Sequence, residues 1–100
     1  MDTNIVQINV DNVVIPALID TGAAVSVISD HLRRKLRKIL TPISFTHLQS
    51  VAGHPLAPLG VCTARMLFEH SVVPIQFVVL ASCSYDLILG MDFSLITQHS

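Results

Sequence analysis

The sequence predicts an all-β domain with one or two short helices. Three observations lead to this: stretches in which apolar and polar residues alternate, turn-forming residues between them, and a length of 100 residues, which allows one domain, residues 1–100. Hydrophobic residues make up 51% of the chain and charged residues 13%. So small a domain has too much surface to hide all of these apolar side chains alone, so we expect a partner to cover some of them, most simply a second copy of the chain.

The N-terminal part is expected to form a hairpin followed by a third strand. Residues 4–10, NIVQINV, alternate with the period of a strand, and residues 13–19, VVIPALI, return after the pair Asp11 and Asn12. Both residues tolerate left-handed backbone conformations, as a two-residue turn requires. The third strand is expected at residues 25–29, VSVIS.

A basic run at residues 33–38, RRKLRK, holds five of the six Lys and Arg residues. It has two interpretations, a surface for nucleic acid or another anion, and the solvated face of a short helix. We favour the helix because Ser29 or Asp30 can cap it, Pro42 would end it, and no aromatic residue lies among the cations. Nucleic acid is therefore not expected as a partner. The apolar stripe of this helix is predicted to be Leu32, Leu36, Ile39 and Leu40.

The second half of the chain is expected to continue as strands. Residues 52–60, AGHPLAPLG, contain two Gly and two Pro and predict a projecting turn. In residues 61–70 the side chains of Cys62, Ala64, Met66 and Phe68 fall on one face. A helix is expected to begin after Gly90, at Met91 or Asp92. The strands are predicted at residues 43–51, 61–70, 71–80 and 87–89.

Several classes of protein are not expected. No apolar stretch approaches the roughly 18 residues of a membrane span, and the N-terminus lacks the basic and apolar regions of a signal peptide. Cys62 and Cys83 form no CxxC motif, and no two histidines have HExxH spacing. We therefore expect no metal, no other cofactor and no membrane partner. For the two cysteines we favour free, partly buried thiols over a disulfide, which predicts a reducing, cytoplasmic compartment.

An acid follows the second predicted strand directly, in the segment LIDTGAAVSVIS at residues 18–29. Burying an ionised carboxylate is costly unless it is paired or hydrogen-bonded, so Asp20 in apolar surroundings needs an explanation. One explanation is local, because an Asp side chain can cap its own turn. The other explanation is that the carboxylate takes part in chemistry.

This segment resembles the active-site segment of retropepsin-like aspartic proteases. Residues 86–92, DLILGMD, resemble the second signature of the same family, an apolar pair and Gly before the C-terminal helix. The resemblance runs from about Ile5 to about Gln98 and looks closest to the proteases of retrotransposons and their domesticated cellular relatives. It implies one half of an acid protease, a closed barrel-like sheet with a flap hairpin, which acts as a homodimer.

The activity that the resemblance implies is that of an aspartic endopeptidase without a cofactor. In this family an ionised Asp takes a proton from water while a protonated Asp donates to the scissile carbonyl, so two carboxylates share one proton. Only Asp20 lies in an Asp-Thr-Gly motif, so the second Asp20 is expected from another copy across a twofold axis.

The other site residues carry over from the resemblance by position. Thr21, Gly22 and Ala23 match the active-site loop, with Thr21 joining the two loops of the dimer. Leu89 and Gly90 match the signature that packs beneath that loop. The flap and the substrate-binding walls are expected to include Val25, Val27, Val51, Ala52, Gly53, His54 and Pro55.

One departure concerns the substrate. Ala24 lies where retroviral enzymes commonly carry an Asp that binds the substrate backbone. We expect a peptide or polyprotein substrate, most simply that of a retroelement, and the cytoplasm or a retroelement particle as the location. The alternative is a catalytically silent domain of the same fold that dimerises or binds peptides.

Overall fold

A computed structural model describes residues 4–43 and 58–93. These residues form six strands and a short helix, and a further helical segment begins at Met91. The elements in chain order are β1 (Ile5–Val10), β2 (Val13–Ile19), β3 (Val27–Ser29), α1 (Asp30–Lys35), β4 (Pro58–Phe68), β5 (Ser71–Leu80) and β6 (Leu87–Leu89).

The six strands close into a barrel in the order β1-β2-β6-β3-β5-β4, with β4 pairing back onto β1. Strand β6 lies parallel to β2 and antiparallel to β3, and it joins the two strands that flank the Asp20 loop. The predicted all-β, barrel-like fold is therefore confirmed. Part of the predicted strand at 43–51 and most of the predicted turn at 52–60 lie outside the described residues.

The hairpins follow the predicted pattern. Asp11 and Asn12 have φ values of 51° and 68°, so the β1–β2 turn has the left-handed residues that a two-residue hairpin needs. Along β4 the side chains alternate, with Thr63 and Arg65 exposed. The inward side chains of β4 and β5 belong to one buried core with those of β1, β2 and β6, which includes Val10, Ala17, Ala64, Met66, Ile75, Phe77, Leu87 and Leu89.

The helix is shorter than predicted. Ser29 caps it as expected, because its Oγ accepts a hydrogen bond from the Leu32 N–H at 3.1 Å. It ends at Lys35, and Arg37 has a left-handed φ of 58° that turns the chain away. Ile39 is consequently 79% exposed, so its inclusion, with that of Leu40, in the apolar stripe was wrong.

Several strand boundaries also differ from prediction, and β4, for example, ends at Phe68 rather than at residue 70. Strand β3 begins at Val27 rather than at residue 25, and β4 begins at Pro58, inside the predicted turn. The early start of β4 is accompanied by a register shift between Pro58 and Gly60 in its pairing with β5. Within the described segments, no helix is long and apolar enough to cross a membrane.

Candidate active site

Asp20 lies at the end of β2, in the loop that connects β2 to β3. Its backbone N–H donates to the Leu89 carbonyl at 2.9 Å, which ties the start of the loop to β6. Its side chain is exposed, and Oδ1 accepts a hydrogen bond from the Gly22 N–H at 3.0 Å. The local turn that the sequence suggested is therefore present, and among the described residues Oδ2 has no hydrogen-bond partner.

The three residues after Asp20 keep the loop tight around this carboxylate. The Ala23 N–H donates to the Asp20 carbonyl at 3.1 Å. A Cβ added at Gly22 would lie 3.2 Å from Oδ1 of Asp20, closer than side chains usually pack, so glycine lets the backbone approach the acid. Thr21 and Ala24 are exposed at the rim of the loop.

Gly90 lies directly beneath the loop. A Cβ at this position would lie 2.6 Å from the Val25 carbonyl oxygen and 2.7 Å from that of Ala23, so the two backbones approach more closely than any other residue allows. The next residue, Met91, donates its N–H to the Ala23 carbonyl at 2.8 Å. The segment after β6 thus supports the loop through its backbone.

Ser26 and Asp92 form a contact that sequence reasoning missed. The Ser26 side chain is fully buried, its Oγ donates to Oδ1 of Asp92 at 2.6 Å, and its N–H donates to Oδ2 at 2.9 Å. The Gly90 N–H donates to Ser26 Oγ at 3.1 Å. The two residues are 66 positions apart; the Asp that ends DLILGMD was the signal available in the sequence.

Val25 and Val27, expected as pocket walls, lie together in a second apolar cluster beside the loop. Val27 is buried with Val61, Val78 and Leu80, while Val25 is half-buried against them. Ile43, Cys83 and Ile88 complete the half-buried side of this cluster. The flap residues expected at Val51, Ala52, Gly53, His54 and Pro55 lie outside the described residues.

The remaining aspartates of the described segments have other partners. The Asp11 carboxylate pairs with Lys38 at 2.7 Å, Asp30 pairs with Arg33 at 2.7 Å, and Asp86 accepts from Ser29 Oγ at 2.8 Å. By contrast, the Asp20 carboxylate has a single hydrogen-bond partner among the described residues, the Gly22 N–H. In that part of the chain, no group of three or more His, Cys, Asp or Glu residues could hold a metal ion.

Neither described cysteine lies in an environment that would activate it as a nucleophile. Cys62 and Cys83 carry free thiols. Burial raises the pKa of Cys62 and outweighs the opposing charges of Arg33 and Lys38. Burial also raises the pKa of Cys83, with Asp86 adding to the effect. Since the thiolate is the reactive form, both environments disfavour it.

Comparison with protein-family models matches residues 6–93 to the aspartyl protease model. The chain belongs to the aspartyl protease family. A search of curated proteins found no match. The family assignment agrees with the position of Asp20, at the end of a barrel strand and followed by Thr-Gly.

Solved structures of retropepsin-like proteins share the fold of this aspartyl protease domain. The retroviral protease-like domain of Ddi1 from Leishmania major matches with a TM-score of 0.75 and 17% identity, over 98% of this chain and 79% of that one. EIAV protease in complex with an inhibitor matches with a TM-score of 0.71 and 18% identity, over 97% of this chain and 89% of that one. A retropepsin-like aspartic protease from Rickettsia conorii matches with a TM-score of 0.64 and 24% identity, over 91% of this chain and 68% of that one. The fold is therefore retropepsin-like.

Proposed function

We propose that this chain is an aspartic endopeptidase that uses Asp20 from each of two copies to hydrolyse peptide bonds. The observation that carries the proposal is the environment of Asp20, an exposed carboxylate in an Asp-Thr-Gly loop whose described partner is one backbone N–H. The other described aspartates are engaged by Lys38, by Arg33 and Arg34, or by serine side chains. Among the described residues, the Asp20 carboxylate thus keeps hydrogen-bonding capacity free at the loop that the family uses.

The chemistry requires two carboxylates in contact. Two such groups ionise as a pair and hold one proton between them, so one acts as the base toward water and the other as the acid toward the carbonyl. One chain supplies one Asp20. The proposal therefore needs a symmetric dimer in which the two loops face each other.

Apolar side chains at the same end of the barrel support this dimer. Ile5 pairs in register with Leu18, two residues before Asp20, and is 39% exposed. Met91, which follows Gly90 under the loop, is 44% exposed. Burial of such side chains against a second copy would stabilise the dimer by the hydrophobic effect. Exposed Thr21 lies in the same loop, where its hydroxyl can reach a facing copy.

We further propose a polyprotein substrate, such as that of a retroelement. The support is the shared fold with a viral protease and with a retroviral protease-like domain. With Ala24 in the loop, no carboxylate is available there to bind the substrate backbone. The half-buried apolar residues Val25 and Ile88 beside the loop favour substrates with apolar side chains near the cleaved bond.

The decisive experiment measures cleavage of a mixed peptide library by the wild-type chain and by the Asp20→Asn variant, over enzyme concentrations from nanomolar to micromolar. Specific activity should rise with concentration as dimers form, and a transition-state-analogue inhibitor should shift the sedimentation profile toward dimer. Cleavage by the Asn variant at the wild-type rate would refute the proposal. A dimer that binds peptides without turnover would establish the silent alternative.

A further inference from the structure

A second carboxylate, that of Asp92, lies on the segment after β6 and contacts the end of the Asp20 loop. Asp92 accepts three hydrogen bonds: from Ser26 Oγ at 2.6 Å, from the Ser26 N–H at 2.9 Å and from the Phe93 N–H at 2.7 Å. Both carboxylate oxygens are therefore engaged. This arrangement leaves Asp92 unsuited to exchange protons with a substrate.

The hydrogen bonds that Asp92 accepts hold Ser26 in two ways. Because the carboxylate receives both the N–H and the O–H of Ser26, it fixes the backbone and the side-chain rotamer together. Ser26 Oγ also accepts from the Gly90 N–H at 3.1 Å, and the Ser26 carbonyl accepts from the Val78 N–H at 3.0 Å. Ser26 is fully buried, so water does not compete for these bonds.

Ser26 is the point at which the Asp20 loop enters β3. The loop is tied at its start by the Asp20 N–H to Leu89 and at its middle by the Met91 N–H to Ala23, both through backbone atoms. Its end is tied by the Ser26–Asp92 contact, in which two side chains bond directly, and by the bond from the Gly90 N–H to Ser26 Oγ. The direction in which the loop presents Asp20 therefore depends on Asp92.

We propose that Asp92 is a positioning residue for Asp20, acting through Ser26. The inference rests on the proposed catalytic function of Asp20, and Asp92 itself touches no reacting atom. A carboxylate has acceptors for both Ser26 donors, whereas an amide places an N–H₂ group against one of them. Asp92→Asn is thus a nearly isosteric change that should loosen the loop without removing any chemical group from the site.

The fold offers a matched control. Ser29 and Asp86 form a second serine–aspartate pair, in which Ser29 Oγ donates to Oδ1 of Asp86 at 2.8 Å and the Ser29 N–H donates to the Asp86 carbonyl at 2.9 Å. This pair lies at the other end of β3, where Ser29 caps helix α1. Asp86→Asn therefore makes the same chemical change in a serine–aspartate pair at the far end of β3, away from the Asp20 loop.

The test compares wild type, Asp92→Asn, Ser26→Ala, the double variant and Asp86→Asn. We expect Asp92→Asn and Ser26→Ala each to lower kcat by about 10- to 100-fold, the loss that a misplaced catalytic group causes, with KM changed less than about threefold. The double variant should lose little more than either single one, since the two residues act as a unit. Asp86→Asn should keep kcat within about twofold of the wild-type value, even if it lowers the melting temperature as much as Asp92→Asn does.

A second readout does not depend on turnover. Amide hydrogen exchange, followed by NMR at Asp20 and Ala23 and referenced to buried β5 amides, should accelerate by about tenfold in Asp92→Asn and remain unchanged in Asp86→Asn. If the wild type cleaves nothing, the proposed function fails and exchange alone decides the role of Asp92. Unchanged exchange and kcat in a folded Asp92→Asn protein, or equal losses in Asp86→Asn, would overturn the inference.

Discussion

The two ends of strand β2 carry aspartates in opposite circumstances. The seven residues of β2, which span roughly 23 Å at about 3.3 Å each, separate Asp11 in the β1–β2 turn from Asp20 in the loop to β3. Asp11 pairs with Lys38 at 2.7 Å and accepts from the Arg65 N–H at 2.9 Å. The Asp20 carboxylate has one described hydrogen bond, from the Gly22 N–H two residues away.

This difference separates stability from function. Asp11 joins three distant parts of the chain, so its carboxylate contributes to folding. Among the described residues, the Asp20 carboxylate bonds only within its own turn, so removal of its charge should cost the fold little. An exposed acid that the fold does not need is consistent with a role in chemistry, where local stability is commonly given up for reactivity.

The largest effect is expected from Asp20→Asn. Loss of one essential carboxylate should reduce kcat/KM by about three orders of magnitude or more, because the remaining groups cannot share a proton. The free energy of unfolding of the monomer should change by less than about 0.5 kcal/mol, as for an exposed surface residue. Peptide cleavage and urea titration measure the two quantities. A large loss of stability would show that Asp20 has a structural role comparable to that of Asp11.

Gly90→Ala tests whether close backbone packing, rather than ion pairs, fixes the Asp20 loop at its end of β2. The new methyl group would lie less than 3 Å from the Ala23 and Val25 carbonyl oxygens, so the loop or β6 must move, at a cost of about 1–3 kcal/mol. Urea unfolding measures the loss, with Thr63→Ala on the exposed face of β4 as the control. Unchanged stability would mean that the loop yields easily and is not fixed by close backbone approach.

In contrast to Asp20→Asn, Asp11→Asn should lower the stability of the fold and leave peptide cleavage unchanged. Partial burial by itself would raise the pKa of Asp11, but the hydrogen bonds from Lys38 and the Arg65 N–H, with the positive charges of both residues, outweigh it and hold the pKa below its ordinary value of 3.8. The carboxylate therefore stabilises the fold above that value, and its contribution is lost as the pH falls through the lower folded value.

At neutral pH we expect Asp11→Asn to lower the free energy of unfolding by about 0.5–1.5 kcal/mol. Asn tolerates the left-handed φ of 51° at this position, so the turn itself should persist. Urea titrations from pH 7 to pH 2.5 should bring the two proteins together at the acid end, with kcat/KM at neutral pH unchanged. A stability difference independent of pH would show that the turn, rather than the charge, is responsible.

The smallest effect is expected from Arg34→Ala. Arg34 pairs with Asp30 at 3.1 Å, but its side chain is 68% exposed and Asp30 keeps its shorter contact with Arg33. Exposed pairs of this kind contribute about 0–0.5 kcal/mol. Thermal unfolding of both proteins at low and high salt measures the contribution of this ion pair to stability. A loss above about 1 kcal/mol, as large as that of Asp11→Asn, would remove the contrast between exposed and partly buried pairs.

Local patterns were sufficient to predict most of the fold. Strands β2 and β5 have the predicted bounds, because alternation and turn residues are properties of short segments. The helix could not be delimited in the same way. Its apolar spacing continues past Leu36, but the left-handed Arg37 and the bond from Arg33 Nη1 to the Lys38 carbonyl end it.

The candidate site was predictable where its residues are adjacent in sequence. Asp20 and Gly22 form one motif, and Gly90 follows an apolar run that a buried strand explains. The Ser26–Asp92 contact joins two residues across most of the chain. The segment DLILGMD draws attention to Asp92, but nothing near Asp92 in the sequence indicates Ser26 as its partner. Contacts of this kind depend on how the barrel closes, and single-sequence patterns carry no information about that.

Closure of the barrel also sets the order of events during synthesis. Strand β6 has three residues, yet it supplies the partner of both β2 and β3, and Leu18 pairs with Ile88 across 70 positions of sequence. A ribosome-bound chain that stops before residue 87 has two unpaired strand edges and lacks the Leu89 carbonyl, Gly90 and Asp92. Such distant pairing forms slowly, since a long loop must first be closed. The contacts that hold the Asp20 loop can therefore form only after residues 87–92 of this domain have been synthesised.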